Sequence, residues 1–122
     1  MRPRQSQVRA RQFEVEDHRR QLRLFDQMIG DLGKIRDELG RQIAHEEART
    51  GVRDRTHYAY STVARAARER RRKLDASIGD LTDRRSAVEV TLAAAEEALE
   101  ALRQGADHPY PAPVAEQRYQ IA

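Results

Sequence analysis

Residues 64–102 read ARAARERRRKLDASIGDLTDRRSAVEVTLAAAEEALEAL, and apolar side chains recur in this stretch every seven positions. The recurring positions are Ala67, Leu74, Leu81, Val88, Ala95 and Leu102. A companion series lies three residues earlier and contains Ala64, Ile78, Leu92 and Leu99, with arginine at 71 and 85. Apolar residues spaced alternately by three and four are typical of the buried seam of a coiled-coil helix, whereas a strand would repeat every two residues.

The first part of the chain carries the same pattern. One series contains Val8, Val15, Leu22, Ile29 and Ile43, interrupted by Arg36, and its companion contains Phe25, Leu32 and Leu39. The composition agrees, because 35% of the residues are charged and only 39% are hydrophobic. Such a chain suits long helices that each bury one narrow stripe. The sequence therefore predicts an all-α fold, a two-helix antiparallel coiled-coil hairpin.

Turn-forming residues separate the two runs. Gly51 is a favourable residue just past a helix end, and Asp54 can cap a short helical turn that reaches Tyr60. Ser61 or Thr62 can then cap the second helix. We expect a hairpin over residues 1–104, with helices at 5–47 and 61–104 and a tip at 48–60. Gly105 and the prolines at 109, 111 and 113 predict a flexible tail over 105–122.

A single antiparallel register pairs all the seam positions. Ile43 faces Ala67, and Ile29 faces Leu81. The two residue numbers add up to the same value in every facing pair. Arg36, Arg71 and Arg85 then face Leu74, Leu39 and Phe25, and His18 faces Leu92. An arginine stem can lie along an apolar seam while its charged end reaches water. The basic start of the first helix also meets the acidic end of the second.

Motifs of catalysis are missing from the sequence. Glycines do not form a phosphate-binding loop, the serines and the dispersed histidines do not form a catalytic arrangement, and cysteine is absent. We expect no enzyme activity, no metal and no cofactor. One basic run is compatible with nucleic-acid binding, namely Arg68-Glu69-Arg70-Arg71-Arg72-Lys73. The favoured interpretation is a solvated face paired with acids of the first helix, because the run contains no aromatic residue on which a base could stack.

Partner binding is the remaining function class. Met28 and Ile35 lie one heptad apart beside the seam, so they are candidates for docking a further helix. A hairpin tip with two tyrosines is the second candidate, since tyrosine is a frequent interface anchor. The predicted partner-binding residues are Arg49, Thr50, Gly51, Asp54, His57, Tyr58, Tyr60, Met28 and Ile35.

The tip carries a resemblance to a known family. The segment Arg49-Thr50-Gly51, Asp54, His57-Tyr58-Ala59-Tyr60, Thr62, Ala64 and Ala66-Ala67, followed by the basic run, resembles the tip of the flagellar type III export protein FliJ in its short alphaproteobacterial branch. The opening Val8-Arg9, Phe13-Glu14-Val15-Glu16 and Arg19-Arg20-Gln21 is also similar, so the resemblance spans roughly residues 5–102. Ser61 stands where that family usually has proline.

The resemblance implies a role in flagellar protein export. Members of the family are antiparallel coiled coils that are thought to contact the export ATPase ring, the export gate protein and export chaperones. It implies a cytoplasmic location at the membrane-embedded gate, without membrane insertion and without nucleic acid. A generic coiled-coil adaptor or dimerisation module is the alternative, and an arginine-rich nucleic-acid-binding protein is a further one.

Overall fold

The computed structural model describes residues 3–107, which form a helical hairpin. Helix α1 spans Pro3–Thr50 and helix α2 spans Thr62–Asp107. Residues 51–61 connect them, and the described residues contain no strand. The two helices pack against each other, so the predicted all-α hairpin is confirmed. Each helix is slightly longer than the sequence predicted.

The end of α1 follows the expected glycine chemistry. Gly51 has a φ of 73°, in the left-handed region that side chains with a Cβ rarely adopt. Its N–H donates a hydrogen bond of 2.9 Å to the carbonyl of Glu47. The hydroxyl of Thr50 donates to the carbonyl of Glu46 at 3.1 Å and accepts from the N–H of Val52 at 3.2 Å. These bonds satisfy groups that a helix end leaves free.

Ser61 is the residue that caps α2. Its hydroxyl accepts the N–H of Ala64 at 3.1 Å, and its carbonyl accepts the N–H of Arg65 at 3.0 Å. This is the geometry of an N-cap serine, so the first of the two predicted caps is confirmed. Thr62 is the first helical residue.

The predicted end of α2 at Gly105 is wrong. The helix continues through Gly105 to Asp107. A glycine within a helix costs only about 1 kcal/mol relative to alanine, which does not force an end. Arg4 of α1 also donates a hydrogen bond of 2.8 Å to the carbonyl of Gly105, near the end of the helix where carbonyls lack helical partners. The rest of the predicted tail, 108–122, lies outside the described residues.

The chain divides into two compact units. The tip unit contains residues 23–86, and the open-end unit contains the described residues 3–22 and 87–107. In the tip unit, Leu39, Ile43 and Ala67 form a buried cluster against which Leu74 packs. In the open-end unit, the buried cluster is Val15, Ala95 and Leu99, with Val8 and Leu92 packed against it.

The buried clusters agree with the predicted register in each unit. Ile43 shares a cluster with Ala67, and Val15 shares a cluster with Ala95. These are the facing pairs that the heptad pattern requires. Within each unit, later residues of α1 therefore lie beside earlier residues of α2, which is the antiparallel arrangement.

The arginines on the seam of the tip unit direct their charged ends to the other helix. Arg85 donates to Asp26 at 2.5 Å, and Arg36 lies 3.9 Å from the carboxylate of Asp75. Arg71 reaches α1 beside Gly40, since its Nη1 is 3.7 Å from where a Cβ on that glycine would lie. In the open-end unit, Nδ1 of the half-buried His18 has no hydrogen-bond partner among the described residues.

Neither helix in the described part of the chain combines the length and apolar character needed to cross a membrane.

Candidate partner-binding site at the hairpin tip

Two consecutive turns shape the tip loop. The N–H of His57 donates to the carbonyl of Asp54, and the N–H of Tyr60 donates to the carbonyl of His57, both at 3.1 Å. The carboxylate of Asp54 accepts the N–H and the hydroxyl of Thr56 at 2.9 and 2.7 Å. Asp54 therefore caps a turn through its side chain, as the sequence predicted, but this turn closes at His57. The expected extension to Tyr60 is wrong, because a second turn begins at His57.

The Thr56 bonds also change the acidity of Asp54. The hydroxyl and the backbone N–H of Thr56 both hydrogen-bond the charged carboxylate, so they lower the pKa of Asp54 below its ordinary value. The carboxylate is therefore held in the form that the turn needs.

A buried polar network lies behind the loop. The hydroxyl of Tyr60 donates to Oε2 of Glu47 at 2.8 Å, and Arg68 Nε donates to the same hydroxyl at 2.7 Å. Arg68 Nη2 also donates to Glu47 Oε2 at 2.9 Å. Glu47 and Tyr60 are both buried. The network joins α1, the end of the loop and α2 through charge-assisted hydrogen bonds.

The network shifts the ionisation of its members. The bond from Arg68, followed by that from Tyr60, lowers the pKa of Glu47. The reciprocal bond to Glu47 raises the pKa of Arg68. Both charged forms are favoured, as expected for a hydrogen-bonded ion pair.

A second carboxylate ties the loop to α1. Glu46 Oε2 accepts from Arg49 Nη2 at 2.7 Å and from the hydroxyl of Ser61 at 3.2 Å. The bond from Arg49 is the main cause that lowers the pKa of Glu46. The residue before α2 is thus attached to the last turns of α1 through its own capping hydroxyl.

Tyr58 is the most exposed large hydrophobic side chain of the tip, with 95% of its surface accessible. Its ring stacks on the imidazole of His57, with the ring centres 4.6 Å apart. Nδ1 of His57 accepts the N–H of Ala59 at 2.9 Å. The imidazole is therefore fixed by the backbone, and it supports a tyrosine ring that faces solvent.

The structure divides the predicted tip residues into two groups. His57 and Tyr58 are exposed together, and the guanidinium of Arg49 is exposed beside its partner Glu46. Tyr60 is only 3% exposed, so it offers no surface to a partner. Thr50, Gly51 and Asp54 form hydrogen bonds that shape the loop.

The two residues of α1 that were predicted to dock a further helix are less exposed than the heptad pattern suggested. Ile35 is 47% exposed, but Met28 is half-buried, so the two do not form an equally exposed pair. Met28 flanks the seam closely enough to be partly covered. Leu24, in the same unit, is 57% exposed and is the more accessible apolar side chain.

Sequence reasoning missed the role of the Tyr60 hydroxyl. The predicted pairing of the basic run with acids of the first helix is found at Arg68, which pairs with Glu47. Nothing in the heptads showed that the tyrosine before the capping serine folds inward to join that pair. A tyrosine directly before a helix N-cap, with an acidic residue near the end of the preceding helix, is the signal that was available.

Within the described residues, no group of three or more His, Asp or Glu side chains is placed to hold a metal ion. In comparisons with known proteins, no family model, no curated protein and no solved structure matches the chain. The relation to the FliJ family therefore stays a prediction from the residues of the tip and of the first helix.

Proposed function

We propose that the chain is a non-enzymatic helical-hairpin component of the bacterial flagellar type III export apparatus. In this role it links the export ATPase ring to the export gate protein and escorts export chaperones, at the cytoplasmic side of the membrane. The support is the resemblance of residues 49–67 to the FliJ tip, together with the hairpin fold. The work of such a protein is docking, so it needs an ordered surface and no catalytic group.

The observation that carries the proposal is the exposed Tyr58 on an ordered loop. The loop is held by Asp54, by His57 and by the Tyr60 network, so its backbone is hydrogen-bonded before any partner arrives. Binding then costs little additional ordering of the loop. A tyrosine ring in that position is a suitable anchor for a pocket on a partner protein.

The test compares two single variants of the full-length chain in the cell of origin. Tyr58→Ala removes the exposed ring of the tip, and Leu24→Ala removes an exposed apolar side chain elsewhere in the tip unit. We expect deletion of the protein to abolish swimming, Leu24→Ala to restore it, and Tyr58→Ala to fail. Pull-downs should show the Tyr58→Ala chain losing the ATPase or the gate protein.

Thermal unfolding provides the control for folding. Because Tyr58 is 95% exposed and stacks on the loop residue His57, which is also exposed, we expect both variants to unfold within a few degrees of the original chain. Normal swimming of the deletion strain, or full function of Tyr58→Ala, would contradict the proposal.

A generic dimerisation module is the second candidate, and the exposure of Leu24 and Ile35 favours it. Two exposed apolar side chains on one helix provide a starting surface for a second helix. Analytical ultracentrifugation distinguishes the candidates. A stable dimer that Ile35→Gln converts to monomer supports the module, whereas a monomer at all concentrations argues against it.

A further inference from the structure

An open groove of about 590 Å³ lies beside the tip, along the first turns of α2. Five arginines and one tyrosine contribute to its lining, namely Arg55, Tyr60, Arg65, Arg68, Arg71 and Arg72. Two carboxylates, Glu69 and Asp75, also line it. Positive groups therefore outnumber negative groups in the groove, although the chain as a whole is nearly balanced.

Internal ion pairs use only some of these arginines. Arg68 is paired with Glu47 at 2.9 Å, and Arg72 is paired with Glu69 at 2.7 Å. In the described part of the chain, Arg55 and Arg65 have no ion-pair partner, and neither does Arg71 beside Gly40. The groove thus keeps three guanidinium groups that no carboxylate of the described residues neutralises.

Two of the arginines lie on the same face of α2. Arg65 and Arg72 are seven residues apart on α2, which corresponds to about 10 Å along a helix axis. Arg55 adds a charge to the groove from the tip loop. Such spacing fits several carboxylates distributed along a peptide, whereas one small anion would need the guanidinium groups to converge.

The aromatic group in the groove is not available for base stacking. Tyr60 is buried, and the guanidinium of Arg65 lies 5.5 Å from the centre of its ring. Single-stranded nucleic acids depend on open aromatic faces for much of their affinity.

We propose that this groove is a binding site for an acidic segment of a partner protein, separate from the surface of Tyr58. The carboxylates of the segment pair with Arg55, Arg65 and Arg71 along the start of α2. The site rests on the lining of the groove alone, so it does not require the flagellar role.

The experiment uses the purified full-length chain and a short fluorescein-labelled peptide of alternating glutamate and alanine. Fluorescence anisotropy measures binding to the original chain, to Arg55→Gln/Arg65→Gln and to the control Arg41→Gln/Arg84→Gln. Both double variants lose the same charge, and the control arginines are exposed residues of the tip unit outside the groove. We expect the groove variant to bind about five- to tenfold more weakly, and the control to change less than about twofold.

Three results would overturn the proposal. Equal weakening in both double variants would show that only net charge matters. Tighter binding of a single-stranded oligonucleotide of equal charge, lost in the groove variant, would assign the groove to nucleic acid. A concentration-dependent dimer that the groove variant abolishes would assign it to a second copy of the chain. Thermal unfolding of each variant excludes loss of structure as the cause.

Discussion

The hydroxyl of Tyr60 donates a hydrogen bond of 2.8 Å to the carboxylate of Glu47, and this bond ties the residue before the α2 cap to the last turns of α1. Arg68 completes the arrangement by donating to both groups. Because Tyr60 and Glu47 are buried, water cannot readily replace a bond that is lost there. The order of the tip therefore depends on a few polar atoms behind it.

The first prediction concerns the hydroxyl of Tyr60. Tyr60→Phe keeps the ring in place but removes the donor to Glu47 and the acceptor for Arg68, so we expect the free energy of unfolding to fall by about 1–2 kcal/mol. Urea unfolding followed by circular dichroism measures the change. Tyr58→Phe is the matched control, because its ring is exposed, and it should change stability by less than about 0.5 kcal/mol. An equal loss of stability in the two variants would show that the hydrogen bonds of the Tyr60 hydroxyl do not stabilise the tip.

The second prediction concerns pH. Hydrogen bonds lower the pKa of Glu47 below its ordinary value of 4.5, and they lower the pKa values of Glu46 and Asp54 as well. A carboxyl with a lowered pKa in the folded state takes up protons more readily when unfolded. Its stabilising effect is therefore complete above pH 4.5 and is lost as the pH falls through the folded-state pKa. We expect the melting temperature to decrease as the pH falls from about 5 towards 3.

Glu47→Gln tests the source of this pH dependence. The variant cannot ionise at position 47, so it should be less stable than the original chain at neutral pH, and the difference should narrow in acid. Glu97→Gln, an exposed position in the open-end unit, is the control. If the melting temperatures of Glu47→Gln and the original chain differed by the same amount from pH 3 to pH 7, ionisation of Glu47 would not be the source of the pH dependence.

The fold was predictable because its main determinant is periodic. Leu39, Ile43 and Ala67 occupy seam positions of the heptads, and they are buried together in the structure. Gly51 and Ser61 were predictable for a local reason, since one provides a left-handed backbone and the other a capping hydroxyl. Such signals depend on neighbours within a few residues or on a repeat.

The details of the site depended on distant contacts. Tyr58 and Tyr60 look alike in the sequence, yet one is exposed and the other is buried, because only Tyr60 reaches Glu47 and Arg68. The continuation of α2 through Gly105 likewise involves Arg4, about a hundred residues earlier in the chain. The residue pattern of a single segment cannot predict such contacts between residues that are distant in the sequence.

The third prediction tests the register directly. The chain has no cysteine, so a pair of introduced cysteines reports on a single contact. Ile43→Cys/Ala67→Cys joins two residues of one buried cluster, and we expect oxidation to form an intramolecular disulfide. Ile43→Cys/Ile78→Cys is the control, displaced by eleven residues or about 16 Å along α2. Mass spectrometry and mobility on non-reducing gels identify the cross-link, and a better yield in the control would refute the register.

The last prediction separates two kinds of glycine in the tip unit. Gly51 has a φ of 73°, so Gly51→Ala forces a Cβ into the left-handed region and should lower stability by about 1 kcal/mol. Gly30 lies inside α1, and a Cβ built there would meet no atom within 4 Å. Gly30→Ala should therefore raise stability by about 0.5–1 kcal/mol, because alanine loses less backbone freedom in a helix.

Urea unfolding of the two alanine variants measures both changes on the same scale. Space is not the reason for the opposite signs, since a Cβ at Gly51 would also meet no atom within 4 Å. The difference lies in the backbone conformation alone. If Gly51→Ala were as stable as Gly30→Ala, the loop would have to leave α1 in another conformation, and the hydrogen bond from Gly51 to Glu47 would not hold the end of the helix.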